Sequence, residues 1–254
     1  MTLSGPSLKK HRWLLALACL VAVAVVAAGC RGGRLVSTSQ EVEVDRNAAK
    51  QIESENRVIT GTADARRVQT ISARIINTRE RGGIDYSVKM LDKKEINAFA
   101  LPGGFLYVNQ GLVDFMRREP IPTYPGNPTQ DDLLAGVIAH EMAHVEARRH
   151  AKMMERSALA GIALSTIGGR SQDWAGVFAN LSLLQFSSDD EYEADKLGIN
   201  YANRAGYNPF GMAAFLKILP DKQGSGLAEF FRTHPNTGDR VRRAEDRAQE
   251  VGGS

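Results

Sequence analysis

The sequence HEMAH occupies residues 140–144 and places two histidines four residues apart. On an α-helix this spacing brings both imidazoles to one face, where they can bind the same Zn²⁺. Glu141 lies about 100° around that helix from His140, so its carboxylate can take a proton from an attacking water beside the metal. The segment therefore predicts one zinc per chain, with His140 and His144 as ligands and Glu141 as general base.

The residues before this motif favour a helix that carries it. Thr129 and Asp132 form a capping pair at a helix start. Apolar residues then follow at helical spacing: Leu133, Leu134, Val137 and Ile138. We therefore predict a helix from Thr129 to about Arg149.

A catalytic zinc needs a third protein ligand, and two residues are candidates. His150 has the spacing of the HExxHxxGxxH motif, but Ala147 stands where that motif has a glycine that lets the chain turn. A continued helix would rotate His150 about 240° away from His144. Glu191 is favoured, because it shares a helix face with Asp195, which could then bind the second ring nitrogen of a ligand histidine. The alternative for this pair is an acidic, solvated helix face.

The first 30 residues differ in composition from the rest of the chain. A basic start, with Lys9, Lys10 and Arg12, precedes 16 uninterrupted apolar residues from Trp13 to Ala28. Gly29-Cys30 ends this run. The pattern predicts a signal peptide over residues 1–29 and a lipid on Cys30. The alternative is an uncleaved anchor, although the run is shorter than the about 20 residues that span a bilayer.

After such a signal, residues 30–40 are polar and predict a tether, and residues 41–254 predict a single domain. The first 30 residues hold three of the 32 basic residues and none of the 29 acidic ones, so the remainder has no net charge. This balance does not favour a nucleic-acid partner. The two cysteines, Cys19 and Cys30, both belong to the N-terminal segment, so we expect no internal disulfide.

The remaining pattern predicts an α+β fold that is mostly helical, with one small antiparallel sheet. Strands are predicted over Ile84–Leu91, Ile96–Leu101 and Phe105–Val108. Further helices are predicted over Val42–Ile59, Asp64–Arg79, Asn109–Arg117, Trp174–Phe186, Ser188–Asn203, Pro209–Leu219 and Arg240–Val251.

Five segments, in this order, resemble the gluzincin family that includes the CAAX prenyl endopeptidases, the HtpX-type proteases and the BepA-type periplasmic proteases. They are Asn97–Gly104, His140–His144, Glu191–Asp195, Ala205–Pro209, and Thr233-His234-Pro235 with Arg240. The resemblance covers about Glu41–Arg243, nearly all of the predicted mature chain.

The resemblance implies a zincin-like metalloprotease. Its zinc ligands would be His140, His144 and Glu191. Glu141 would be the general base, and Asp195 would contact a ligand histidine. His234 would bind zinc in a resting state or donate to the oxyanion, and Arg240 would brace Asp195 or the His234 segment. Ser188 departs from the family, whose members often carry arginine there.

The resemblance also implies that an extended substrate adds to the edge strand formed by Asn97, Ala98, Phe99 and Ala100. The predicted function is a zinc endopeptidase of the bacterial cell envelope, lipid-anchored on the periplasmic side, that cleaves unfolded or misfolded exported proteins. The alternative is a chaperone-like binding module with a latent zinc site. The oligomeric state is not predicted.

Overall fold

The computed structural model describes residues 38–149, 152, 186–219, 227–235 and 238–253. Thr38–Ser254 form one compact unit. The predicted signal peptide, the lipid site at Cys30, His150 and the predicted helix Trp174–Phe186, apart from its last residue, lie outside the described residues. Within the described ranges, no helix has both the length and the apolar character that a membrane crossing requires.

The described chain is mostly helical, which confirms the predicted α+β class. Its helices are α1 (Thr38–Glu55), α2 (Ala63–Ile76), α3 (Gln110–Arg118), α4 (Gln130–Glu146), α5 (Ser188–Arg204), α6 (Gly211–Ile218), α7 (Ala228–Thr233) and α8 (Asp239–Gly252). Its strands are β1 (Val58–Ile59), β2 (Ser87–Leu91), β3 (Ala98–Ala100) and β4 (Phe105–Asn109).

The four strands form one mixed sheet in the order β1-β2-β4-β3. β1 is antiparallel to β2, and β3 is antiparallel to β4, but β2 and β4 run parallel, with Val88 opposite Leu106. The prediction of an antiparallel sheet was therefore wrong. Alternation of apolar and polar residues indicates a strand, but it carries no information about the direction of the neighbouring strand.

The boundaries of α1 also differ from the predicted ones. α1 begins at Thr38, before the predicted end of the tether at residue 40, and it ends at Glu55 rather than Ile59. Asn56 caps this end, because both its backbone N–H and its side-chain amide donate to the Ile52 carbonyl. The next residues join the sheet, where Ile59 pairs with Met90.

Helices cover both faces of the sheet. α2 and α4 pack on the face that contributes to the main core. α1 packs on the other face, in a second cluster that contains Ala49 and Leu101. The carboxylate of Glu53 holds α1 in place, because it accepts hydrogen bonds from Lys89 Nζ at 2.7 Å and from the Tyr107 hydroxyl at 3.0 Å.

α4 carries the HEMAH sequence through the centre of the molecule. Its predicted N-terminal cap is confirmed: Thr129 Oγ1 accepts from the Asp132 N–H at 3.3 Å, and Asp132 Oδ2 accepts from the Thr129 N–H at 2.7 Å. All residues from Leu133 to Val145 are buried. The helix ends at Glu146, whose carboxylate accepts the Arg81 N–H at 2.7 Å and the Tyr86 hydroxyl.

A glycine sets the separation of α4 and α5. A Cβ placed on Gly198 would lie 2.8 Å from the backbone nitrogen of His140 and 3.0 Å from its Cα. Real Cβ atoms do not approach a backbone that closely, so only glycine allows α5 to pack directly against the HEMAH segment.

We expect Gly198→Ala to destabilise the protein by about 1–3 kcal/mol, because the two helices must move apart to accept the methyl group. Urea denaturation measures this change. Gly82→Ala is the matched control, since a Cβ at Gly82 has no atom within 4 Å. Equal midpoints for Gly198→Ala and Gly82→Ala would show that the contact does not limit the packing.

Candidate metal centre

Four buried side chains converge at one point between α4, α5 and the segment after α7. They are His140, His144, Glu191 and His234, and one ligand atom from each lies within 4.8 Å of the others. The structure therefore brings both histidines of the motif together with Glu191 and His234. The other candidate ligand, His150, lies outside the described residues.

The spacing of these donor atoms fits a tetrahedral metal. Nε2 of His140 lies 3.0 Å from Nε2 of His144, and Oε1 of Glu191 lies 3.3 Å from the latter nitrogen. Nδ1 of His234 lies 3.4 Å from Nε2 of His140 and 3.2 Å from Oε1 of Glu191. Nitrogen and oxygen ligands of tetrahedral zinc lie about 3.3–3.6 Å apart, as follows from its bond lengths. Imidazole and carboxylate are also ligands that zinc prefers.

The local sequence explains how Glu191 reaches this point. Ser187 and Asp190 form a capping box, in which Ser187 Oγ accepts the Asp190 N–H at 3.2 Å and Asp190 Oδ2 accepts the Ser187 N–H at 3.2 Å. Glu191 therefore projects from the first turn of α5. Its side chain is fully buried.

Asp195 and Arg240 form a buried layer behind the ligands. Nδ1 of His140 lies 2.9 Å from Oδ1 of Asp195, so Nε2 of the same ring faces the metal position. The Arg240 guanidinium donates twice to Asp195, at 2.8 Å each, and its Nη1 lies 2.7 Å from Oε2 of Glu191. Arg240 thus contacts both carboxylates, and its contact with the His234 segment is a longer one, 3.5 Å to the Pro235 carbonyl.

The pKa values of the buried groups follow from burial and from the charges of their neighbours. Burial raises the pKa of Asp195, but the charge and hydrogen bonds of Arg240 outweigh this and hold that pKa below its usual value. Burial acts on Glu191 in the same way, and His234 and Arg240 hold its pKa well below the usual range. Burial lowers the pKa of His140 and His144, which favours the neutral imidazoles that metal binding requires.

Glu141 lies beside the cluster, and its carboxylate is not one of the four converging groups. Its side chain is buried, and its Oε1 lies 3.4 Å from Nε2 of His234. Burial raises the pKa of Glu141, which brings it closer to the pH at which a carboxyl group can both accept and donate a proton. Burial lowers the pKa of His234, but the neighbouring Glu191 and Glu141 outweigh it and raise that pKa overall.

The aromatic rings that stack on the imidazoles of His144 and His234 were not predicted from the sequence. The ring of Phe186 stacks on His144, with centroids 4.0 Å apart, and the ring of Phe230 stacks on His234 at 5.1 Å. Phe186 was predicted as the last residue of a helix. No local signal indicates this contact, because the fourth residue after the N-cap Ser187, where a hydrophobic staple needs an apolar partner, is Glu191.

The predicted edge strand lies at the end of the sheet. Among the described residues, no strand pairs with the outer edge of β3. The Asn97 carbonyl accepts the Asn109 N–H, and the Leu101 N–H donates to Phe105, so the alternation of an antiparallel ladder directs the backbone groups of Ala98 and Ala100 away from β4. The side chains of Ala98 and Ala100 are buried in the main core with α4.

The family of the chain follows from comparison with known proteins. The sequence profile of peptidase family M48 matches residues 62–248, which include every residue of the metal cluster. The chain belongs to peptidase family M48. This finding confirms the resemblance to gluzincin metallopeptidases, and the members of this family are metal-dependent peptidases.

The M48 chain is similar in sequence to several characterised proteases. It is 26% identical over 239 residues to the beta-barrel assembly-enhancing protease of Escherichia coli (strain K12). That alignment covers 88% of this chain and 47% of the protease. It is 27% identical over 227 residues to the metalloprotease LoiP of the same strain, covering 85% and 84% of the two chains. It is 23% identical over 271 residues to the metalloprotease YcaL of the same strain, and the alignment covers 94% of this chain and 98% of YcaL. The chain thus spans about half the length of the assembly-enhancing proteases.

Proposed function

We propose that this M48 protein is a zinc endopeptidase with a zincin-like active site. The observation that carries the proposal is the convergence of His140, His144 and Glu191 on one point, with the buried carboxylate of Glu141 beside it. When bound there, zinc would lower the pKa of a water molecule and polarise the scissile carbonyl.

The side chains around that point have complementary roles in hydrolysis. Glu141 would accept the proton of the attacking water and later donate it to the leaving amine. Asp195 holds His140 through Nδ1, so that Nε2 stays directed at the ligand position. Arg240 keeps Asp195 and Glu191 ionised and fixed.

His234 has two candidate roles that its position supports. Its Nδ1 lies among the ligand atoms, so it can occupy the fourth ligand position in a resting state. Its second role, which the family resemblance implies, would be to donate a hydrogen bond to the oxyanion, and its Nε2 lies 3.4 Å from Oε1 of the proposed base Glu141.

The substrate is an extended or unfolded polypeptide. The backbone groups of Ala98 and Ala100 on the outer edge of β3 offer a ladder for an added strand. Pairing through backbone groups selects for extended conformation rather than for particular side chains, which suits a protease of misfolded proteins.

The setting of this activity is the bacterial cell envelope, where the predicted lipid on Cys30 would hold the protease at a membrane on the periplasmic side. The relatives named for beta-barrel assembly support outer-membrane or other exported proteins as substrates. The second candidate function is a chaperone-like binding module, which the same strand edge would serve. The presence of Glu141 beside the ligands favours hydrolysis.

The metal requirement tests the proposed function. We expect the purified protein to cleave unfolded casein, to lose this activity on treatment with 1,10-phenanthroline, and to regain it with one equivalent of Zn²⁺ per chain. Fragment analysis by mass spectrometry measures the cleavage, and a tightly folded protein is the negative substrate. Zinc binding without cleavage would favour the binding module instead.

A further inference from the structure

Phe186 connects two parts of the metal centre that lie far apart in sequence. Its ring is parallel to the imidazole of His144, with an interplanar angle of 11° and centroids 4.0 Å apart. It is buried, with 6% of its surface exposed. It directly precedes Ser187, the N-cap of the helix that supplies Glu191.

The same residue contacts the segment that carries His234. The backbone N–H of Phe186 donates to the Thr233 carbonyl at 3.4 Å, and its ring centroid lies 5.8 Å from that of His234. Phe186 therefore touches one imidazole with its ring and holds the neighbour of a second imidazole with its backbone.

Stacking matters here because of the freedom of a histidine side chain. The torsion that rotates an imidazole about its Cβ–Cγ bond has broad minima, so packing must fix the plane of the ring. A metal tolerates little misdirection of its ligands, and groups that orient ligand histidines typically change metal affinity by about 10–100-fold. His140 is oriented by the carboxylate of Asp195, and a flat aromatic ring can orient an imidazole by parallel contact.

We propose that Phe186 is a positioning residue of the metal centre, which fixes the plane of the His144 imidazole and holds the Thr233–His234 segment beside it. The proposal rests on the proposed metal centre. Phe186 does not touch the reacting atoms, and it acts through His144. The competing explanation is ordinary core packing, in which any apolar side chain of similar volume would serve.

Phe210 provides a matched control for that explanation. It is also 6% exposed, and it stacks on Tyr124 with centroids 5.3 Å apart. Replacing either phenylalanine by leucine removes one buried, stacked ring. Of these two rings, only that of Phe186 stacks on one of the four converging side chains, whereas that of Phe210 stacks on Tyr124.

The test compares Phe186→Leu, Phe186→Tyr and Phe210→Leu in the full chain. Zinc affinity is measured by competition with a chromophoric chelator, and ligand geometry by the visible absorption of the Co²⁺-substituted protein. We expect Phe186→Leu to bind zinc about tenfold more weakly and to shift the Co²⁺ spectrum. We expect Phe186→Tyr, which keeps the ring, to restore the wild-type spectrum, and Phe210→Leu to lower thermal stability without changing affinity.

Wild-type affinity and spectrum in Phe186→Leu would overturn the proposal, and so would an equal loss of affinity in Phe210→Leu. If Phe186→Leu does not fold, Phe186→Met gives the same comparison with a flexible side chain of similar volume. Both readouts are independent of cleavage. A wild-type protein that binds metal but cleaves nothing would therefore contradict the peptidase function and leave the role of Phe186 standing.

Discussion

Glu141→Gln is expected to reduce casein cleavage by about 10²–10⁴-fold, the usual contribution of a general base, while zinc stays bound. The amide has the shape of the carboxylate but cannot accept the proton of the attacking water. Glu141 is not one of the converging ligand atoms, so its replacement leaves His140, His144 and Glu191 in place. Cleavage rates and zinc content of the same preparation measure the two expectations together.

A carboxylate outside the centre serves as the control for this change. Glu250→Gln removes an acidic group that is 63% exposed and pairs with Arg247, and it should cleave casein at the wild-type rate. Equal activity of wild type and Glu141→Gln would exclude Glu141 as the base. Loss of zinc together with activity would instead indicate that Glu141 supports the ligands.

The helix that carries the motif could be predicted because its signals are local. The capping pair Thr129 and Asp132 and the four-residue spacing of the histidines all lie within one segment. The same holds for Glu191 and Asp195, which are four apart on α5 and both face the centre. Where one element carries the whole pattern, helical geometry determines which side chains meet.

The sheet could be predicted only in part, since its pairing is not local. The sequence pattern predicts strands at β2, β3 and β4 but not at β1, and it does not show that β2 lies parallel to β4 through contacts such as the Ser87 N–H with the Gly104 carbonyl. Val58 and Ile59 fit the end of a helical pattern, and pairing with β2 overrides it. Tertiary pairing of this kind outweighs weak local preference.

The surroundings of the ligands show the same limit. Arg240 lies 45 residues from Asp195, and no spacing rule links a helix face to one buried guanidinium so far along the chain. The resemblance to a family suggested Arg240, whereas its second contact, with Glu191, emerged from the structure. Phe186 carries no charge and matches no motif, so its stacking on His144 could be found only in three dimensions.

Glu191→Gln is expected to weaken zinc binding more than the loss of a group that only orients a ligand. Loss of such an orienting group weakens metal binding by about 10–100-fold. Glu191 supplies the negative charge among the four converging side chains, and it projects from the first turn of a capped helix. His234 lies outside regular structure, at the C-terminal cap of α7. We therefore expect His234→Ala to keep one zinc per chain.

The comparison of these two variants decides which residue is the third ligand, since both side chains lie close to His140 and His144. Zinc affinity by chelator competition is the readout, and Glu250→Gln again controls for the loss of one carboxylate. Loss of zinc in His234→Ala with retention in Glu191→Gln would make His234 the ligand. Glu191 would then serve mainly as the partner of Arg240, whose Nη1 lies 2.7 Å from its Oε2, and removing it would lower the free energy of unfolding rather than the metal content.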